Sequence, residues 1–260
     1  MRITFLGSGT SQGVPVIACP CAVCHSPDPR DKRLRSSILV ETDTAHIVID
    51  SGPDFRYQML RAQVKTLDAI VFTHGHKDHT AGLDDVRAFN YFQQKEIDVY
   101  ANQDTQEVLR REFQYIFQNT SYPGIPQIRL HELVNAPFRI NGLELLPVSV
   151  LHYKLEVFGF RIGDFSYITD ANYIAPEEIE KIKGSKVLVL NALRREPHIS
   201  HFTLSEAIAL AQEIGAETTY LTHISHQLGL HAEVETELPK GIQLAYDGLQ
   251  LDHCRTSAHQ

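Results

Sequence analysis

The sequence predicts an α/β fold in which two mixed β-sheets pack face to face, with helices on the outer faces. The first half of the chain is rich in hairpin signals and the second half alternates helix with strand. This mixture suits two mixed sheets better than one parallel sheet. The 260 residues, 43% of them hydrophobic, are enough to bury such a core. No internal repeat or linker is evident, so we expect one domain over residues 1–260.

Strands in the first half are predicted from short apolar runs. They cover residues 2–6, then 36–42 and 45–52 joined by a polar turn, then 68–74. The last run, DAIVFTH, is apolar and β-branched, as expected for a buried strand, and it ends in a histidine. Apolar residues at helical spacing predict a helix over residues 104–118, with Asp104 or Thr105 as its N-cap.

The second half opens with two hairpin signals. Asn141-Gly142 lies between apolar runs, which is the strongest short hairpin signal, and Gly163-Asp164 repeats the pattern. The elements predicted after them are a helix over 175–183, a strand over 186–192, a helix over 203–215 and a strand over 218–223.

Composition and charge argue against several classes of protein. A net charge of −8 provides no basic field for nucleic acid or anionic membranes. No run of about 18 apolar residues occurs, and the start MRITFLGSGT has too short an apolar run for a secretory signal. Four cysteines, three of them crowded together, do not form a disulfide framework. We therefore expect a cytoplasmic protein with no membrane association and no stable nucleic-acid partner.

The segment THGHKDHTAG places four ligand-type side chains directly after the buried strand: His74, His76, Asp78 and His79. Imidazole suits zinc, iron and manganese, and carboxylate suits harder divalent ions, so the mixed set is typical of a hydrolytic metal site. Residues two apart in a tight loop can converge on one ion, while the Asp78-His79 pair points to a neighbouring position. The spacing therefore indicates two metal sites rather than a polar surface loop that is rich in histidine.

Three further ligand-type residues end predicted strands: His152, Asp170 and His223. Any one of them alone is more often an ordinary polar cap than a ligand. Together with the histidine loop they make seven candidate ligands, which is enough for a dinuclear site.

This order, H-x-H-x-D-H followed by a lone His, Asp and His, resembles the metallo-β-lactamase fold superfamily over nearly the whole chain. The resemblance implies a four-layer αββα sandwich. The ligand sets that it implies are His74, His76 and His152 for one ion, Asp78, His79 and His223 for the second, and Asp170 as the bridge. Asp50, in HIVIDSGPDFR, matches the aspartate that orients the histidine loop from behind the ligands.

Two divalent ions in such a site, zinc or manganese with iron as the alternative, would act on a phosphodiester through a bridging hydroxide. Asp78 is expected to be essential for catalysis as well as a ligand. A leaving alkoxide also needs a proton donor, and the stretch NALRREPHISHFTLSEA offers His198 and His201. The residue types leave both open. The resemblance to phosphodiesterases of the superfamily assigns the role of general acid to His201.

The stretch CPCAVC holds three of the four cysteines, Cys19, Cys21 and Cys24. Structural zinc is nearly always closed by four ligands, so three thiolates need a partner. The two candidates are Cys254, in the polar C-terminal stretch, and His226, three residues after a proposed active-site ligand. A redox role is less favoured, because a redox pair typically reads C-x-x-C near a βαβ pattern.

A cysteine triplet combined with that histidine resembles the family of the phosphoribosyl cyclic phosphate phosphodiesterase of the carbon–phosphorus lyase pathway. The resemblance implies one structural zinc, in a loop over residues 15–30, held by Cys19, Cys21, Cys24 and His226. It also implies hydrolysis of a small-molecule substrate, a cyclic or strained phosphodiester. The alternatives are an RNA- or nucleotide-processing nuclease of the same superfamily and a non-catalytic, metal-stabilised scaffold. A homodimer is compatible with the sequence.

Overall fold

The computed structural model describes residues 1–118 and 124–252. Its strands are β1 (Arg2–Gly7), β2 (Ser37–Glu41), β3 (His46–Ile49), β4 (Ala69–Val71), β5 (Ile97–Ala101), β6 (Ile128–Glu132), β7 (Phe138–Ile140), β8 (Leu143–His152), β9 (Leu155–Ile162), β10 (Phe165–Tyr167), β11 (Tyr173–Ile174), β12 (Val187–Asn191), β13 (Thr218–Thr222), β14 (Ile242–Leu244) and β15 (Gln250–Leu251). Its helices are α1 (Ala22–His25), α2 (Phe55–Arg61), α3 (Lys77–Thr80), α4 (Arg87–Gln93), α5 (Gln103–Glu112), α6 (Gln114–Phe117), α7 (Pro176–Ile182), α8 (Leu204–Ile214) and α9 (His231–Glu237). In this part of the chain no helix has the length and apolar character needed to cross a membrane.

The strands form two mixed sheets, as predicted. The first has the order β15-β1-β2-β3-β4-β5-β6, and the second has the order β11-β8-β9-β10-β12-β13-β14, with β7 paired to β8. In the first sheet, pairing is antiparallel from β15 to β3 and parallel from β3 to β6. The second sheet repeats this division, with antiparallel pairs up to β10 and parallel pairs beyond it.

Hydrophobic side chains pack between the four layers. Phe5 of the first sheet and Phe160 and Tyr167 of the second belong to one buried cluster between the sheets. A second cluster joins the outer face of the first sheet to α2, α4 and α5, and a third joins the second sheet to α7, α8 and α9. The αββα arrangement is therefore confirmed, and each layer is held by burial of apolar surface.

Local signals explain several element boundaries. Asn141 and Gly142 have positive φ angles of 47° and 87° and join β7 to β8, as the hairpin signal predicts. Helix α8 begins with a capping box, in which the Thr203 hydroxyl accepts from the backbone N–H of Glu206 and the Glu206 carboxylate accepts from that of Thr203. It ends at Gly215, whose φ of 72° suits a glycine C-cap.

The helix predicted over residues 104–118 differs from the structure at both ends. Its N-cap is Asn102, whose Oδ1 accepts from the Thr105 N–H at 2.9 Å, so the assignment of Asp104 or Thr105 was wrong. Asparagine is as good an N-cap as aspartate, and at Asn102 the backbone is extended, as a cap requires. The helix stops at Glu112 because Phe113 leaves helical geometry, and α6 is a separate turn. Strands β5 and β6 were not predicted.

Candidate metal centre

The candidate ligands of both sheets meet at one edge of the sandwich. Among the described residues there, four groups bring one donor atom of each member within 4.8 Å of the others. The groups are His74, His76 and His152; His74, His79 and Asp170; His152, Asp170 and His201; and Asp78, Asp170 and His223. All seven candidate ligands are included, and Asp170 belongs to three of the four groups. We call the seven residues the strand-end centre.

Asp50 lies behind the strand-end centre and fixes one of its rings. Its Oδ2 accepts from His79 Nδ1 at 2.7 Å, and its two oxygens accept from the backbone N–H and the hydroxyl of Thr73, each at 2.8 Å. In the neutral ring Nδ1 of His79 then carries the proton, and Nε2, which faces the other ligands, is the atom that could bind a metal. This is the orienting position that the resemblance implies for Asp50.

Two other rings are oriented in the same way. His152 Nδ1 donates to the carbonyl oxygen of Ser200 at 2.8 Å. The Thr73 hydroxyl already donates to Asp50, so its oxygen accepts from His74 Nδ1, 3.0 Å away. In each histidine Nε2 then keeps the lone pair that could bind a metal, and that of His74 lies 2.9 Å from His76 Nδ1.

Charge and burial oppose each other in this cluster. Burial by itself would lower the pKa of His79, but Asp170 and Asp78 raise it well above its ordinary value. Burial by itself would raise the pKa of Asp170, yet His223 and His79 hold it well below the usual range. Burial lowers the pKa of His74. The carboxylates are therefore ionised and attract positive charge to the centre.

Two strand-end residues of the centre, and Asp50 behind it, have strained backbone conformations. Asp50, Asp170 and His223 have φ angles of 65°, 54° and 57°, in the left-handed region that non-glycine residues rarely adopt. Such conformations cost about 1–3 kcal/mol each and persist where the surrounding structure imposes them. Here they turn the side chain at each strand end toward the common edge.

Orphaned buried atoms indicate that the centre fits a metal. His79 Nε2 is buried without a hydrogen-bond partner among the described residues, although one oxygen of Asp78 and one of Asp170 each lie 3.2 Å away. His201 Nδ1 is orphaned in the same way. Unpaired buried donors and acceptors are costly, and nitrogen and carboxylate oxygen are the ligands that zinc and manganese bind. The residues present therefore fit divalent cations.

His201 and His198, the two candidate proton donors, lie on the loop before α8. The His201 ring stacks on His223 at 4.8 Å and lies 4.6 Å from the ring of His152. Burial, together with His223, lowers the pKa of His201 to about 2. His198 is 5.1 Å from His201 and more exposed, and its Nδ1 accepts from the Ser200 N–H. His201 is thus the donor candidate in direct contact with the centre.

The cysteine cluster forms a second, separate group. Donor atoms of Cys19, Cys21, Cys24 and His226 all lie within 4.8 Å of one another. His226 Nδ1 is 3.4 Å from Cys19 Sγ and 3.3 Å from Cys21 Sγ. The contact with His226 lowers the pKa of Cys21 to about 6, whereas burial raises that of Cys24 to about 11. We call these four residues the cysteine claw. Cys254, the alternative fourth ligand, lies outside the described residues.

Sequence reasoning missed several residues that support the strand-end centre. Ser36 Oγ lies 3.2 Å from His223 Nδ1, and Thr10 Oγ1 lies 3.3 Å from His223 Nε2. Gly52 lets two loops meet, because a Cβ there would lie 2.0 Å from the Asp78 carbonyl oxygen. Thr73 also supports the centre, and its position next to His74 is a signal that the sequence offers.

A cleft of about 350 Å³ opens beside His74 and His76. Its charged lining residues are Lys77, Asp104, Arg111, Glu112 and Glu156. Glu112 pairs with both cations, Lys77 and Arg111, and so balances one of their two charges. With Asp104 and Glu156 the cleft lining has three carboxylates and two cations, which is a small acidic excess.

Comparison with known proteins agrees with this geometry. A family model described as the Beta-lactamase superfamily domain matches residues 45–224. The crystal structure of a diphosphatase from the PhnP family is 43% identical, with a TM-score of 0.92 over 98% of both chains. Zinc-bound PqqB from Methylobacterium extorquens shares the fold, with a TM-score of 0.77 and 21% identity over 97% of this chain and 100% of that one.

Curated relatives are longer than this chain. An octanoyltransferase from Porphyromonas gingivalis is 42% identical over 253 residues, which are 96% of this chain and 51% of that protein. Coenzyme PQQ synthesis protein B from Xanthomonas oryzae is 30% identical over 172 residues, which are 58% of this chain and 52% of that protein. The chain therefore spans about half the length of the first curated relatives it matches.

Proposed function

Because this chain belongs to the β-lactamase superfamily and lies close to its PhnP family, we propose that it is a metal-dependent phosphoric diester hydrolase. The proposed substrates are small cyclic or strained phosphodiesters. The observation that carries the proposal is the position of Asp170, whose carboxylate is shared by three of the four groups of donor atoms. A shared carboxylate suits two adjacent divalent cations, the arrangement used for in-line displacement at phosphorus.

The proposed ligands divide between the two sheets. His74, His76 and His152 would hold one cation, Asp78, His79 and His223 would hold the other, and Asp170 would contact both. When bound, two such cations supply a water of lowered pKa and neutralise charge on the phosphoryl oxygens. Zinc and manganese both suit these ligands, with iron as the alternative.

The protein's own hydrogen bonds would hold this arrangement in place during the reaction. Asp50 keeps the proton of His79 on Nδ1, and the Ser200 carbonyl does the same for His152. Neither ring can then rotate without losing a buried hydrogen bond, which costs about 1–3 kcal/mol. The phosphodiester therefore meets donors that are already oriented.

His201 is the proposed proton donor for the leaving alkoxide. Its ring lies between His152 and His223, 3.9 Å from Asp170 at the closest ion-pair atoms. The anionic charge of a bound phosphodiester would favour protonation of this buried ring. His198 is the competing donor, one ring farther from the centre.

Charge around the centre supports a small substrate over a nucleic acid. The cleft beside His76 carries more carboxylates than unpaired cations, and the chain has a net charge of −8. The affinity of a protein for a nucleic-acid backbone depends on lysine and arginine contacts to phosphates. A processing nuclease is therefore the weaker candidate.

Octanoyl transfer is the activity named for a protein about twice as long, so half of that relative lies outside the match. The centre described here offers histidine and carboxylate donors for cations, which suits hydrolysis of phosphate esters better than acyl transfer. Hydrolysis of p-nitrophenyl octanoate tests that alternative directly.

A substrate panel tests the proposal. The metal-loaded protein should hydrolyse bis(p-nitrophenyl) phosphate, and it should act faster on a five-membered cyclic phosphodiester than on an acyclic dialkyl phosphate. A diphosphate diester belongs in the panel because the PhnP-family neighbour is named a diphosphatase. Exclusive activity on the diphosphate or the octanoate would replace the proposed substrate class, and no turnover with full metal content would favour a scaffold.

Leaving groups of different basicity identify the proton donor. His201→Ala should slow cleavage of an alkyl phosphodiester by about 10²–10⁴-fold, the usual contribution of a general acid. Cleavage of bis(p-nitrophenyl) phosphate should fall far less, because p-nitrophenolate leaves without a proton. His198→Ala is the matched variant, and a larger selective effect there would transfer the role to His198.

A further inference from the structure

His223 has a hydroxyl group at each of its two ring nitrogens. Ser36 Oγ lies 3.2 Å from Nδ1, and Thr10 Oγ1 lies 3.3 Å from Nε2. All three residues are buried. A neutral imidazole carries one proton, so one nitrogen donates a hydrogen bond and the other accepts one. The two hydroxyls therefore have opposite roles, and the tautomer of His223 determines which nitrogen keeps a lone pair for a cation.

The hydrogen bonds of Ser36 indicate which tautomer is present. Its hydroxyl donates to the Gly9 carbonyl oxygen at 3.0 Å, so its oxygen is left to accept from His223 Nδ1. Two further groups near this nitrogen are also acceptors. Thr169 Oγ1 lies 3.5 Å from Nδ1 and donates its own hydrogen to Asp170, and a carboxylate oxygen of Asp170 lies 3.2 Å from Nδ1. The proton of His223 therefore belongs on Nδ1, and Nε2 keeps the lone pair.

Of these three acceptors, Ser36 is the one that stays available when a cation is bound. The oxygens of Asp170 are proposed to contact cations, and the distance of 3.5 Å to Thr169 is close to the outer limit for a hydrogen bond. Ser36 lies nearer than Thr169 and is not among the proposed ligands. It therefore has the same relation to His223 that Asp50 has to His79.

The stretch GSGT, at the end of β1, brings the backbone acceptor to Ser36. Gly9 forms isolated bridges with Arg35, just before β2, and with Ile224, just beyond β13. The loop thus lies between strand ends of the two sheets. An added Cβ at Gly9 would lie only 2.9 Å from the Cβ of Arg33, so a side chain would push the loop away. Glycine at this position therefore permits the hydrogen bond that orients the Ser36 hydroxyl.

We propose that Ser36 is a positioning residue, which holds the proton of His223 on Nδ1 and presents Nε2 to a cation of the strand-end centre. The proposal rests on the cation binding proposed for this centre and is independent of its substrate. Hydrogen bonds to the second nitrogen of a metal-binding imidazole typically contribute about 10–100-fold to metal affinity. The hydroxyl of Thr10 contributes little by comparison, because it faces the nitrogen that the cation takes.

Titration with Mn²⁺, after removal of the ions of the strand-end centre, tests the proposal. Manganese prefers oxygen donors to thiolates, so it reports on this centre rather than on the cysteine claw. Ser36→Ala should weaken Mn²⁺ binding by about 10–100-fold. Thr10→Val should leave it nearly unchanged. The reverse order, with Thr10→Val as the damaging change, would assign the cation to Nδ1 and overturn the proposal.

Ser166→Ala is the matched control for the loss of a buried serine hydroxyl. Ser166 lies in β10, is fully buried and shares a hydrogen bond of 2.7 Å with the hydroxyl of Ser185. The control variant should lose stability, as Ser36→Ala does, and keep the wild-type affinity for Mn²⁺. Equal affinities in the two variants would overturn the role of Ser36. A wild-type protein that binds no cation at the centre would overturn the proposed function as well.

Nitrogen-15 NMR of the zinc-loaded protein provides a readout that does not depend on activity. The signals of His223 are identified by their absence from the spectrum of His223→Gln. They should show a proton on Nδ1 and a metal-bound Nε2 in the wild type. A proton on Nε2 would overturn the proposal, whatever the titrations give.

Discussion

The strand-end centre and the cysteine claw are both built from metal-type donors, but different forces hold them together. In the strand-end centre, ligands from both sheets are fixed by buried hydrogen bonds, such as those to Asp50 and Ser200. In the cysteine claw, three thiols come from one loop, and the main contacts between donors are those from His226 to Cys19 and Cys21. The first is arranged by the fold, whereas the second would be arranged by its metal.

This difference predicts which region depends on metal for its structure. A site whose ligands already have partners can lose its ion and keep its shape, at the cost of repulsion among its charges. A claw of thiols gains most of its order from the ion, because structural zinc contributes directly to folding. Variants in the two regions should therefore separate catalysis from stability.

Asp170→Asn should have the largest effect on activity. The amide keeps the size of the side chain but removes the charge shared by three groups of donors. We expect hydrolysis of bis(p-nitrophenyl) phosphate to fall by roughly 10³-fold or more, with loss of the metals of the strand-end centre. Asp43→Asn, an exposed turn residue, is the control. Full activity in Asp170→Asn would show that this carboxylate holds no metal.

Asp50→Asn should have an intermediate effect. Asparagine tolerates the positive φ at this position, so the backbone can stay as it is. The amide has one oxygen, so its NH2 group must face a donor, either the Thr73 N–H or the His79 Nδ1–H with the Thr73 hydroxyl, and the network that orients the His79 ring is broken. Second-layer changes of this kind typically cost 10–100-fold in metal affinity or activity. Metal titration with activity as the readout measures it, and unchanged affinity would contradict the orienting role.

Cys21→Ser should have the smallest effect on turnover and a clear effect on stability. Activity per molecule should stay within about threefold, because the claw does not contact the strand-end centre's donors. The melting temperature should fall by roughly 5–10 °C, which corresponds to about 2–3 kcal/mol in a chain of this size. Cys254→Ser is the matched control and should change neither quantity. If Cys254→Ser is the more damaging variant, the fourth ligand is Cys254 rather than His226.

The periodic part of the fold could be predicted from the sequence, and the corrections have local causes. Hairpin turns and apolar runs are encoded within a few residues, so β2–β3, β7–β8 and β9–β10 were predicted. Strands β5 and β6 carry the period-2 alternation of half-buried strands, but over only five residues each, and this short signal was overlooked. The N-cap of α5 was wrong because three neighbouring residues, Asn102, Asp104 and Thr105, are all good caps.

The side chains that meet in the strand-end centre could be predicted from the sequence, since each follows a strand or lies in one motif. The residues that hold these side chains in place could not be predicted. Ser36 and Thr10 lie 187 and 213 residues from His223 in sequence, and serine and threonine are too common to signal contact at that distance. The strain at Asp50, Asp170 and His223 also depends on the assembled sheets. The sequence therefore indicates which residues could bind a metal, whereas the orientation of their donor atoms depends on the folded structure.

Metal content of purified protein, measured by inductively coupled plasma mass spectrometry, tests the central claim most directly. Two independent sites predict about three ions per chain in the wild type, about two in Cys21→Ser and about one in Asp170→Asn. The ion lost from Cys21→Ser should be zinc. Equal loss from both variants, or a Cys21→Ser protein that keeps all of its metal, would contradict the division into a catalytic centre and a separate structural claw.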